Sequence, residues 1–148
     1  MKQIIESRKI LGATAGMGLQ ELQVLYKGLM KKHHPDRFQD EAQRLEAEEL
    51  SQRIIGAYKF LESLHPETNA VRAEEFEHTL THGILNWQYK AQVLELEFTD
   101  GSKYAFYGVT PNIYKKFVNS DGTGRFVRRH LAGNFPQRRV NGPVAVAA

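Results

Sequence analysis

The sequence predicts an α+β protein made of two modules, and three observations carry that prediction. Apolar residues recur at steps of three and four from Leu19 to Leu64, whereas past His82 they alternate with polar ones. Charge divides in the same way: residues 1–68 hold ten basic and ten acidic side chains, and residues 101–148 hold eight basic ones against Asp121 alone. Between the two lies His65-Pro66-Glu67-Thr68-Asn69, a breaker-rich stretch suited to a boundary. The expected organisation is an all-α module over 1–65 and a linker over 66–83, in part a short helix. A small α+β module over 84–140 and a flexible tail over 141–148 follow.

Each helical element has its own signal. Ile4, Ile5, Ile10 and Leu11 predict a short first helix. Leu19, Leu22, Tyr26, Leu29 and His33 form one apolar stripe, with Lys27, Lys31 and His34 on the opposite face at i, i+4 and i+7. Gly28 sits within that helix at a cost of about 1 kcal/mol relative to alanine. Pro35 disfavours the helical region for His34 and stops the helix there. Asp40, with Gln43 three residues on, is the expected N-cap of a second stripe through Leu50, Ile54, Ala57, Leu61 and Leu64. The two long helices pair as an antiparallel hairpin, and the first packs across it.

The second module reads as a three-stranded antiparallel meander with two short helices. A strand is expected around Asn86–Tyr89. Leu94, Leu96 and Phe98 then alternate with Glu95, Glu97 and Thr99 as a half-buried strand. Asp100-Gly101 is a strong hairpin signal, and Tyr104, Phe106 and their neighbours form the returning strand. Pro111 opens a helix, and the Gly-rich Asp121-Gly122-Thr123-Gly124 leads to another around Phe126–Leu131.

Composition removes several function classes. A chain of 148 residues is too short for a barrel enzyme, and its lack of cysteine excludes disulfides, thiolate metal sites and a cysteine nucleophile. No apolar run approaches the roughly 20 residues needed to span a bilayer. Glu6, Arg8 and Lys9 interrupt what a signal peptide would need as an apolar core. A cytoplasmic protein with no membrane partner is expected. Asp121-Gly122-Thr123-Gly124 lacks the ending of a phosphate loop. His78 and His82 have the spacing of two helical metal ligands, with only Glu74, Glu75 or Glu77 near to complete a set, and a solvated linker accounts for them better. No catalytic residue, metal or cofactor is expected.

His34-Pro35-Asp36, at the end of a basic amphipathic helix, carries the most information. Taken singly, the tripeptide is a turn and the lysines are a solvated face; their joint placement in a helical hairpin points further. ELQVLYKGLMKKHHPD resembles, without a gap, the second helix and loop of the J-domain of DnaJ-type co-chaperones. Leu22, Tyr26 and Leu29 fall at its apolar positions, and Lys27, Lys31 and Lys32 where it is basic. Leu11-Gly12 resembles its first turn, and Ile54, Ala57, Tyr58 and Leu61 its third helix. Ser51 departs, standing where most members carry an aromatic. The resemblance spans residues 4–64. It implies stimulation of ATP hydrolysis by a DnaK-type heat-shock chaperone. Lys27, Lys31 and Lys32 would meet an acidic surface, and His34, Pro35 and Asp36 would contact the chaperone's nucleotide domain near its linker. The second module would then bring a client protein, a location or an RNA.

That second module has a resemblance of its own. Tyr104, Phe106, Val109, Tyr114, Gly124-Arg125-Phe126, His130-Leu131 and Phe135-Pro136 resemble the KTSC domain, named for the C-terminus of some lysyl-tRNA synthetases. Phe106 and Phe135 replace its usual tyrosines. The alternative function is RNA binding by this module, with the J-domain as a scaffold. Lys115, Lys116, Arg125, Arg128, Arg129, Arg138 and Arg139 would then supply phosphate contacts, and Tyr104, Phe106 and Tyr107 stacking platforms. Against this, alternating tyrosines on short strands are more often core.

Overall fold

A computed structural model describes residues 2–140; the tail expected over 141–148 lies outside the described residues. The chain divides into two compact units, Lys2–Ser63 and a second that begins at Leu64.

The first unit is helical. Helix α1 (Lys2–Leu11) buries Ile4, Ser7 and Leu11, a stripe of steps three and four. Ile5, expected among the packing residues, lies one step off that stripe and is exposed. Gly12, at φ +72°, ends α1 in a Schellman motif: the Ala13 N–H reaches the Arg8 carbonyl at 2.8 Å and the Gly12 N–H that of Lys9 at 3.3 Å. Helix α2 (Leu19–His33) turns Leu22 and Tyr26 inward and leaves Lys27, Lys31 and Lys32 exposed. It stops at His33, and His34 is extended at ψ 134° before its proline, as the sequence predicts.

Helix α3 (Glu41–Leu64) starts where expected, with Asp40 Oδ2 accepting the Gln43 N–H at 3.1 Å. Its buried stripe is Ala47, Ser51, Ile54, Ala57, Leu61 and Leu64. Two contacts fix its direction against α2: the Ser51 hydroxyl donates to the His33 carbonyl at 3.2 Å, and Tyr58 stacks on Tyr26 at 4.3 Å. Later residues of α3 thus meet earlier residues of α2, which makes the pair an antiparallel hairpin. Burial first, and then a hydrogen bond to Glu62, push the Tyr58 hydroxyl up to about 12.

The second unit corrects two expectations. Residues 66–83 are no free linker: they fold as α4 (Pro66–Val71) and α5 (Ala73–Leu80), which pack within this unit. Phe76 lies 4.9 Å from the Tyr104 ring, Thr79 is buried, and the Asn69 amide donates to the Gln137 carbonyl at 2.7 Å. The meander has four antiparallel strands in the order β1 (Ile84–Lys90), β2 (Val93–Phe98), β3 (Lys103–Tyr107) and β4 (Gln137–Arg139). Strand β4 is three residues long and carries two arginines, too short and too polar to show a period of two.

The β2–β3 connection is a three-residue loop in which Gly101, at φ +88°, donates its N–H to the Phe98 carbonyl at 2.9 Å. The β1–β2 turn places Ala91 and Gln92 at φ 51° and 62°. One face of the sheet forms the core: Leu94, Leu96, Phe98, Tyr104 and Phe106 pack with Val109, Phe117, Val127 and Leu131. Helix α6 (Pro111–Val118) is capped by the Thr110 hydroxyl. Helix α7 (Thr123–Phe126) runs into one π turn (Val127–Leu131), closed by the Ala132 N–H on the Val127 carbonyl at 2.8 Å.

Candidate functional site

The His34-Pro35-Asp36 loop is built from its own side chains. Pro35 opens a single 3-10 turn (Pro35–Arg37), and His34 Nδ1 accepts the Asp36 N–H at 3.2 Å while lying 3.5 Å from Asp36 Oδ2. The Arg37 guanidinium reaches back to the Lys31 and Lys32 carbonyls at 3.1 and 3.4 Å, serving the open C-terminal end of α2. Ser51 fastens the same end to α3 through the His33 carbonyl. The loop is thus held at its base while its working atoms stay in solvent: the His34 side chain is 48% exposed and that of Asp36 91%. Lys27, Lys31 and Lys32 are exposed on the helix that leads into it. Arg37 and Ser51 are positioning residues that sequence reading missed. The serine in place of an aromatic was the available signal, because a hydroxyl there has a carbonyl to serve.

The cluster expected to bind nucleic acid divides. Lys115 and Lys116 on α6, Arg125 on α7, and Arg128 and Arg129 on the π turn are exposed. The π turn buries Val127 and Leu131 at its ends, leaving Arg128, Arg129 and His130 outside, with His130 against Phe126 at 4.8 Å. The remaining members need correction. Tyr104, Phe106 and Tyr107 are core residues no more than 4% exposed, and cannot stack on a base. Burial raises both tyrosines, and Arg138 bonds the Tyr107 hydroxyl and partly offsets that rise. Arg139 is buried and ion-paired with Glu75 of α5, because its register opposite Tyr104 points it at the core face. Alternation reveals which residues share a face, but not which face meets solvent.

A third polar group ties α5 to the β2–β3 loop. Asp100 accepts the Ser102 N–H at 2.9 Å and the Thr79 hydroxyl at 3.0 Å, and His82 Nδ1 lies 4.0 Å away. Burial pushes the Asp100 carboxyl upward, but the hydrogen bonds from Ser102 and Thr79 and the nearby His82 outweigh it and hold the group below its ordinary value. His78 and His82 meet edge to face at 5.1 Å, and His82 Nδ1 lies 3.1 Å from the His78 carbonyl. No group of three or more histidines, cysteines or carboxylates among the described residues could hold a metal ion. No helix among them is long and apolar enough to cross a membrane.

With this geometry in place, comparison with known families decides one unit. The model of the KTSC domain matches residues 84–135, the span from the first residue of β1 to the loop before β4. Residues 84–135 are a KTSC domain. No J-domain model matches the chain. Searches of curated proteins and of solved structures return no match. The KTSC match takes in the sheet core, α6, α7 and the π turn, whereas the compact unit also includes α4, α5 and β4. The exposed cations of the basic cluster fall inside the KTSC match, except Arg138 on β4.

Proposed function

We propose that this protein is a J-domain co-chaperone of a DnaK-type heat-shock chaperone, with the KTSC unit as its client or targeting part. One observation carries the reading: the His34-Pro35-Asp36 loop is anchored at its base and open at its tip, at the end of a helix whose outer face is basic. Lys27, Lys31 and Lys32 steer encounter with an acidic surface, an effect that weakens as salt rises. Asp36 then offers a charged acceptor and His34 a donor, while the proline keeps the loop stiff. Contacts of this kind act by favouring one conformation of the partner; the hydrolysis is the partner's own chemistry.

The test is steady-state ATP hydrolysis by a DnaK-type chaperone with the wild-type protein and with His34→Gln. The expected result is stimulation by the wild type and its loss in the variant. A folded wild-type protein that leaves hydrolysis unchanged, or a variant that stimulates equally, overturns the reading. The nucleic-acid alternative keeps Lys115, Lys116, Arg125, Arg128 and Arg129 but loses its stacking platforms. What supports it is charge toward phosphate, without any means of reading a base.

A further inference from the structure

Strand β1 is an edge of the sheet. The positive φ values at Ala91 and Gln92 make the turn type I′, so Lys90 and Val93 form a hydrogen-bonded pair. By alternation, the main-chain groups of Tyr89 and Trp87 point away from β2. The Trp87 N–H is taken by the Asn86 side chain at 2.9 Å, a partner that an incoming carbonyl would displace. Alongside this edge an aromatic ladder continues onto α6. Tyr89 stacks on Tyr114 at 4.1 Å, the Trp87 indole donates to the Tyr114 hydroxyl at 3.3 Å, and Trp87 meets Phe117 edge-on at 5.3 Å.

The rings of Trp87, Tyr89 and Tyr114 are half-buried, but the ladder has open apolar ends. Leu85, at the register irregularity of β1, is 64% exposed, and Val118 in the last turn of α6 is 43% exposed. Sheet edges are normally blunted by charge; here the bulge carries a leucine. Neither β1 nor α6 contains an acidic residue, while Lys90, Lys115 and Lys116 are exposed beside the ladder.

We propose that β1 and α6 form a docking groove for an extended peptide segment of alternating apolar and acidic residues, which joins the sheet as a further strand. Its main chain pairs with Trp87 and Tyr89. Its apolar side chains settle against Leu85, Trp87 and Val118, and its carboxylates face the lysines. The inference rests on the proposed role of the KTSC unit as the client-carrying part, and gives that client a chemistry.

Trp87 is the single tryptophan of the chain, so its emission reports on the groove in the full-length protein. Titration with a capped heptapeptide of alternating valine and glutamate is expected to shift that emission saturably. Leu85→Asp and Val118→Asp, both at exposed positions, are each expected to weaken binding about tenfold. Proline at the central valine of the peptide, which removes a main-chain donor, is expected to weaken it as well. Leu85→Asp is expected to stimulate the chaperone as the wild type does, so loss of groove binding and loss of the co-chaperone reading are separate results. No saturable shift, or one that survives both substitutions, overturns the groove. So does emission that changes with protein concentration alone, the sign of a second copy of this chain at the edge.

Discussion

The His34-Pro35-Asp36 turn has a twin within the chain. His65-Pro66-Glu67 heads α4 with nearly the same histidine backbone, −64° and 137° against −61° and 134°. In each, the histidine Nδ1 accepts the N–H of the acidic residue, at 3.1 and 3.2 Å, and lies 3.5 Å from its carboxylate. The conformation is therefore what His-Pro-acid adopts locally, and it does not by itself mark a function. Presentation separates the two: the His65 side chain is 15% exposed, a third of the value at His34, and no lysine face leads into it. The Asp100 carboxylate allows a test by pH at the same scale. A carboxyl held low in the folded state contributes stability that is full above its ordinary value and is lost as pH falls through the folded value. Asp100→Asn is expected to lower stability by about 1–2 kcal/mol at neutral pH, and the gap from wild type should shrink below about pH 4. Urea unfolding at both pH values checks this; a gap independent of pH would remove Asp100 as its source.

Among the elements, the β1–β2 turn is the least suited to its residues. Ala91 and Gln92 both occupy the left-handed region, which favours glycine and asparagine. The Gln92 carbonyl nonetheless accepts the N–H groups of both Gly108 and Val109, at 3.0 Å each, so the turn also holds the exit of β3. The double substitution Ala91→Asn with Gln92→Gly keeps that carbonyl and is expected to raise stability by about 1–2 kcal/mol, seen as a higher urea midpoint at unchanged slope. Nothing in the sequence announces this turn, whereas Asp100-Gly101 announces its neighbour. The same contrast runs through the fold. The stripes of α2 and α3 and the alternation of β2 are long enough to read directly, and so are the stop at His34 and the cap at Asp40. Strand β4, the helices over 66–80 and the π turn are short, and tertiary pairing holds them where local pattern is silent: Asn69 on Gln137, Glu75 on Arg139, Phe76 on Tyr104. In the candidate site, His34, Pro35 and Asp36 could be found from sequence, while Arg37 and Ser51, which hold them, act through carbonyls that only the folded chain brings near.

For the molecule as a whole, the KTSC match and the folding unit have different limits. A fragment from Leu64 onward keeps α4 and α5, while one from Ile84 onward strips Glu75 from the buried Arg139 and Phe76 from Tyr104. Breaking a buried ion pair costs about 3–5 kcal/mol, a large part of what a domain this size has in reserve. The longer fragment is expected to melt cooperatively and the shorter one to lack a cooperative transition, with the near-ultraviolet circular dichroism of Trp87 as the readout. Equal melting of both would show that α5 is dispensable. The Asn69–Gln137 bond has a mechanical meaning as well. The chain enters this unit at α4 and leaves it from β4, and the two are tied side by side. Tension along the polypeptide would therefore peel α4 from β4 bond by bond, as a zipper opens, and would not shear the four strands against one another. The same adjacency makes the unit one that can be spliced into a surface loop of another protein with hardly any spacer.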